Sequence, residues 1–380
     1  MPFGPFALTW RAPSPNPPPP TPLPLGITRT YIPTPSGPLE LLSALPSPST
    51  TSNATVPLPP LFFIHGGFGC AAIWLSYLQY FSARGYPCYA LSLRGHGGSW
   101  YPGYWAMYFS PRGRFGEDLV RGVSFVQDLE QERSGGEGEG EGEEKVVLIA
   151  HSAGGALAQY VLTRGLLSVR AFCMCAAVPG FGSFSCYTPF ALTAPIHFPY
   201  RLFHPRYILA TTHQIQSAFF NAWTPLSVVQ PLERLLSPYE SMLWPLQMMP
   251  SFVDAPTLLS QITGWTKPSS STPSSPPSLS SSAHQKITPA MLILAASADI
   301  LCPPSLLFSA CQQYRSGFWD AVHRKKIAGV SEEDLRAGTE MGSEGEWIRF
   351  VVVQGLAHHL MNESEWERGA EEICGWVRML

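Results

Sequence analysis

From Thr28 onward the chain alternates between short continuous apolar runs and stretches whose apolar residues recur at helical spacing. Thr28 to Ala44 reads as two strands flanking the turn Pro35-Ser36-Gly37-Pro38, a hairpin. Leu61-Phe62-Phe63-Ile64 is a short apolar strand, followed by helical spacing around Ile73 to Ala83. Tyr86 to Leu93 reads as a strand and Glu117 to Leu129 as a helix. The β-branched run Lys145-Val146-Val147-Leu148-Ile149 leads into a helix over Gly155 to Arg164. Val169 to Val178, Ala290 to Ala296 and Trp347 to Val353 complete the strands, and Glu363 to Val377 closes the chain as an amphipathic helix. A strand with one wet face would alternate apolar and polar residues. Continuous apolar strands separated by helices therefore predict an α/β fold, a mostly parallel sheet covered on both faces.

The alternation stops between about 180 and 285, where the chain is aromatic-rich and broken by prolines. Several short helices are expected there, forming an inserted cap. Four stretches read as linkers or surface loops by composition: the proline-crowded residues 11–24, the Pro/Ser/Thr-rich 46–60, the Gly/Glu run Ser134 to Glu144, and the Ser/Pro/Thr tract 267–283. The expected organisation is a Pro-rich N-terminal segment (1–27), a core from 28–180 and 285–380, a helical cap at 181–266, and a disordered linker at 267–284.

Length leaves one large domain or two small ones open, while 45% apolar and 13% charged residues supply ample core. The net charge of -3, with no basic face, argues against nucleic acid and anionic membrane as partners. No apolar stretch reaches the length of a membrane span, and the N-terminus lacks the charged and apolar regions of a secretory signal, so a cytoplasmic protein without stable membrane insertion is expected. The eight cysteines read as free thiols: Cys70, Cys88, Cys173 and Cys175 lie in or beside apolar runs, and no His/Cys set completes a metal site. Neither metal nor cofactor is expected. Oligomeric state is not encoded in any pattern found here.

The run Ile149-Ala150-His151-Ser152-Ala153-Gly154-Gly155 follows a buried strand and opens a helix. Such a turn pushes a serine hydroxyl out above the sheet as a nucleophile, and small residues at Ala150 and Gly154 let strand and helix pass closely. The helix N-terminus behind Ser152, beginning with Ala153, offers backbone N–H groups to a developing oxyanion. Of six aspartates, only Asp299 sits just past an apolar strand, Leu292 to Ala296. Asp118 and Asp128 belong to a charged helix, facing solvent or bracing a loop. Val351-Val352-Val353 runs into Gly355-Leu356-Ala357-His358-His359, where either histidine is placed to act as base.

With these residues in the order Ser, Asp, His, the chain resembles the α/β-hydrolase superfamily, in its lid-bearing esterase-like branch. Leu93-Arg94-Gly95-His96-Gly97-Gly98-Ser99 resembles that family's R-G-H-G-x-S loop, which implies a bracing role for Arg94 and His96. The resemblance implies an eight-stranded, mostly parallel sheet with the cap between strands six and seven. It selects His358, three residues past Gly355, as the base of a Ser152–Asp299–His358 triad. It places the second oxyanion donor in Ile64-His65-Gly66-Gly67-Phe68-Gly69, at Gly67 with Phe68 next, beside the Ala153 amide; His65 braces the loop. The implied activity is hydrolysis of a medium-sized apolar ester through an acyl-enzyme on Ser152, with Phe68, His151 and Trp223 on the substrate side. Phe198, Tyr200, Phe203, Tyr207, Phe219, Phe220, Trp223, Trp244, Met248, Met249 and Phe252 of the cap would line an apolar pocket or pack it onto the core. The same triad also serves acyl transfer, thioester hydrolysis or lyase chemistry, and a non-catalytic ligand receptor is the alternative of a different class.

Overall fold

Eight strands form one sheet in the order β1-β2-β4-β3-β5-β6-β7-β8. They are β1 Thr28–Ile32, β2 Leu39–Ala44, β3 Leu61–Ile64, β4 Cys88–Leu91, β5 Val147–His151, β6 Ala171–Cys175, β7 Met291–Ala296 and β8 Ile348–Val353. The β1–β2 and β2–β4 pairings are antiparallel. Every other pairing is parallel, so β2 alone runs against the rest of the described sheet. This computed structural model describes residues 8–47, 58–133, 145–265, 287–340 and 347–380. The expected linker 267–284, the Gly/Glu run 134–144 and most of the 46–60 loop lie outside the described residues.

Every residue of β3, β4, β5, β6 and β7 is buried. Successive side chains of a strand point to opposite faces, so burial at every position means that both faces are covered. One group of helices pairs Leu75–Ser82 with Glu367–Val377; a second joins Arg112–Arg133, Ser152–Thr163, Ala255–Ser260 and Pro304–His323. The strands are shorter than their apolar runs suggest. The β4 run ends where the Leu93 N–H turns to the His65 ring, and β6 ends at Ala176, whose φ of 43° cannot continue a strand. The last helix starts at Glu367 rather than Glu363, because the buried Glu363 carboxylate instead accepts from Asn221 and Thr224. No helix among the described residues is long and apolar enough to cross a membrane.

Between β6 and β7 the chain forms short helices and 3₁₀ turns, from Phe184–Phe190 to Ala255–Ser260. The last of these lies against Ser152–Thr163 and Pro304–His323, within the helical layer. Residues of the remainder, among them Tyr187, Tyr207 and Trp244, share a cavity wall with Ser152, which follows β5. Part of the Pro-rich N-terminal segment is docked rather than loose. Ser14 exchanges two backbone hydrogen bonds of 2.8 Å with Tyr101, and the His204 ring, in the insertion, meets the Thr9 carbonyl oxygen at 2.9 Å.

Two glycines separate close packing from open surface. A Cβ on Gly154 would strike the backbone of His65, whereas one on Gly375, in the last helix, would meet nothing within 4 Å. Gly154→Ala is expected to destabilise the fold by about 1–3 kcal/mol. Gly375→Ala is expected to be neutral or to stabilise by up to roughly 1 kcal/mol. Thermal melting of both variants checks this; an unchanged melting temperature for Gly154→Ala contradicts the close approach.

Candidate active site

Ser152 is the first residue of the helix that follows β5, and its φ is 50°. A left-handed conformation costs an L-residue roughly 1–2 kcal/mol and persists only where its surroundings enforce it. Here they do: a Cβ on Gly66 would lie 2.7 Å from the Ser152 Cβ, so the β3 loop closes on the turn from one side. From the other side, the Val178 N–H donates to the Ser152 carbonyl at 3.0 Å.

The Ser152 hydroxyl meets His358 Nε2 at 2.9 Å, and His358 Nδ1 meets Asp299 Oδ2 at 2.8 Å. A carboxylate only accepts, so Nδ1 carries the hydrogen and Nε2 is left to accept from the serine. Asp299 is itself immobilised, its Oδ1 accepting from the N–H groups of Leu301 at 2.8 Å and Cys302 at 2.9 Å. The carboxylate thus caps its own loop and orients the ring at once. Asp299, Cys302 and His358 bring ligand-type atoms within 4.8 Å of one another. Hydrogen bonds already engage the carboxylate and Nδ1, and the Cys302 thiol is pushed well above its usual range by its contact with Cys186 and by burial.

The neighbouring histidines serve other ends. His359 is buried, its N–H donating to the Phe219 carbonyl and its Nδ1 facing Asn362 Oδ1 at 2.9 Å, so it packs and does not reach solvent. His151 Nε2 donates to the His358 carbonyl at 3.0 Å, fixing the His358 backbone. His65 accepts the Leu93 N–H on Nε2 and donates from Nδ1 to the Gly66 carbonyl, bracing two loops. Arg94 holds the buried Asp118 through two side-chain hydrogen bonds of 2.8 and 2.6 Å, so Asp118 braces a loop and does not face solvent.

A cavity of about 460 Å³ opens over Ser152. Gly67, Phe68, His151, Ala153 and His358 form part of its wall. Of the aromatic and Met residues singled out in the sequence, Tyr207, Phe219, Trp244, Met248 and Met249 line it. Trp223 does not: it is 76% exposed and absent from the wall, which corrects its expected place beside the substrate. Trp223 lies in the turn between the helices Thr212–Phe219 and Leu226–Leu235, where no periodicity tells which way a side chain faces. Phe68 lines the cavity, yet its N–H is already engaged by Glu240 at 2.9 Å, so it is not a free oxyanion donor. Sequence reasoning missed Phe184, Tyr187, Phe190 and Glu240 of the wall. Glu240 had one available signal, an acidic residue within an otherwise apolar, aromatic stretch.

A family model described as "Alpha/beta hydrolase family" matches residues 61–372. Solved structures with the same fold include a thermophilic esterase from Thermogutta terrifontis, 17% identical over 92% of this chain and 98% of that one, TM-score 0.53. An esterase from Exiguobacterium antarcticum is 16% identical over 92% and 100%, TM-score 0.54. Carboxylesterase CesB from Bacillus subtilis is 16% identical over 93% and 92%, TM-score 0.52. At these identities the likeness is one of fold. No curated protein matches the sequence.

Burial, and then the neighbouring His358 ring, lower the His359 pKa from 6.5 to about 3. The unfolded chain binds a proton between those values that the folded chain refuses, so stability falls as pH drops from about 6.5 towards 3. His359→Gln removes this contribution. Urea unfolding at a series of pH values is expected to give the variant a shallower decline than wild type over that window; equal slopes contradict a buried neutral His359.

Proposed function

Because the chain belongs to the alpha/beta hydrolase family, we propose that it hydrolyses a medium-sized apolar ester through an acyl-enzyme on Ser152. The observation that carries this reading is the continuous Ser152–His358–Asp299 line, with spacings of 2.9 and 2.8 Å, opening into a mainly apolar cavity. His358 Nε2 takes the serine proton as Oγ attacks the ester carbonyl carbon, and Asp299 stabilises the imidazolium that forms. The amides of Gly67 and Ala153 receive the oxyanion, each such donor being worth about 3 kcal/mol of barrier. The imidazolium then protonates the departing alkoxide, and a water deprotonated by His358 releases the acyl group as acid. The similar solved structures named as esterases accord with ester chemistry, and the apolar wall favours uncharged acyl or alcohol groups.

Turnover of p-nitrophenyl esters of increasing acyl length tests this. Wild type is expected to hydrolyse them, with kcat/KM rising from acetyl towards medium chains. Ser152→Ala is expected to abolish turnover, and Asp299→Asn to lower kcat on the order of 10³–10⁴-fold through loss of the correct tautomer. Turnover by Ser152→Ala equal to wild type overturns the assignment.

A further inference from the structure

Phe68 follows the proposed oxyanion donor Gly67 and has a φ of 60°, a left-handed conformation that a bulky residue keeps only when held there. Both of its backbone groups are held by one stretch of the helical insertion. Its N–H donates to Glu240 Oε2 at 2.9 Å, and its carbonyl accepts the Ser237 N–H at 2.7 Å. Glu240 Oε1 accepts the Ser241 N–H at 2.8 Å, which fixes the carboxylate plane. The same Oε2 faces His96 Nε2 at 2.8 Å, while His96 Nδ1 faces the Arg94 carbonyl at 2.9 Å. Carbonyl and carboxylate oxygens only accept, so the buried pair shares enough hydrogens to be net neutral. Glu240 Oε2 lies 3.8 Å from the point where a Cβ on Gly67 would stand, and the Ala153 Cβ lies 3.9 Å from that point. The carboxylate therefore sits beside the Gly67 backbone, which also has the Ala153 side chain for a neighbour.

We propose that Glu240, neutralised by His96, is a positioning residue that clamps Phe68 in its turn, aims the Gly67 N–H at the oxyanion and ties that half of the oxyanion hole to the helical insertion. This rests on the serine-hydrolase reading of Ser152. An insertion displaced from the core leaves Phe68 free to relax and the hole half-built, so the site is complete only when the insertion is seated. Charge makes the clamp sensitive to pH. Burial opposes protonation of His96, but Glu240, the Arg94 carbonyl and Asp118 outweigh it and raise its pKa above the usual 6.5. The other groups facing the pair do not exchange protons in its place. The His65 ring, 4.8 Å from His96, is held neutral by burial; Asp118 is engaged by Arg94; and burial raises the Tyr187 phenol, towards which Glu240 also contributes. Below the raised His96 value the pair is neutral. Above it, an uncompensated carboxylate stands beside the developing oxyanion, and kcat falls.

The test uses Glu240→Gln and His96→Gln in the full chain, with p-nitrophenyl ester as substrate and a fluorophosphonate to count competent sites. Expressing kcat per labelled site removes any unfolded fraction. Glu240→Gln keeps the shape but offers one acceptor oxygen where two carboxylate oxygens meet the Phe68 N–H, the Ser241 N–H and His96. It is expected to lower kcat at least tenfold, to change KM less than about threefold, and to lose the high-pH fall of wild type. His96→Gln leaves the carboxylate uncompensated at every pH and is expected to give a low kcat with no high-pH fall. Wild-type kcat and a wild-type high-pH fall in either variant overturn the proposal while leaving the hydrolase reading intact. Failure of wild type to label at Ser152 overturns that reading first, and the proposal with it.

Discussion

One backbone reversal, the left-handed turn at Ser152, is the constraint around which the rest of the molecule is arranged. A serine holds φ of 50° only if strand, helix and loop leave it no alternative. The buried strand β5 fixes one end, the helix Ser152–Thr163 fixes the other, and the loop after β3 closes over the turn through Gly66. The parallel order of β3, β5, β6, β7 and β8 then brings the loops after β7 and β8 to the same end of the sheet, so Asp299 and His358 meet Ser152 from far along the chain.

Around that turn the histidines divide the work according to their partners. Among the described histidines, His358 alone hydrogen-bonds the Ser152 hydroxyl. His151 supports its backbone, His359 packs beneath it, His65 ties the β3 and β4 loops together, and His96 joins the insertion through Glu240. Burial drives His65, His151 and His359 towards the neutral form, whereas His96 faces a carboxylate and is driven the other way. Those four similar side chains thus shift in opposite directions because their neighbours differ.

The middle of the sheet was legible because β3, β4, β5, β6 and β7 are continuous apolar runs, as strands covered on both faces are. Strand and helix ends were less so, since Ala176, Leu93 and Glu363 are stopped by tertiary contacts rather than local preference. Ser152, Asp299 and His358 could be picked out because each follows within a few residues of an apolar strand, β5, β7 or β8. The insertion was opaque by comparison: Trp223 faces away from the cavity although its type suggested otherwise, and Phe184 and Phe190 line it unannounced. Glu240 escaped for a plainer reason, its partners Phe68 and His96 lying 172 and 144 residues away in sequence.

The most direct measurement is a crystal structure of the protein after reaction with an alkyl fluorophosphonate. Phosphorus bonded to Ser152 Oγ, its free oxygen between the Gly67 and Ala153 amides and its alkyl chain against Tyr207 and Trp244, is the expected result. An adduct on another side chain, or a phosphonyl oxygen turned away from those two amides, contradicts the nucleophile and oxyanion assignments together.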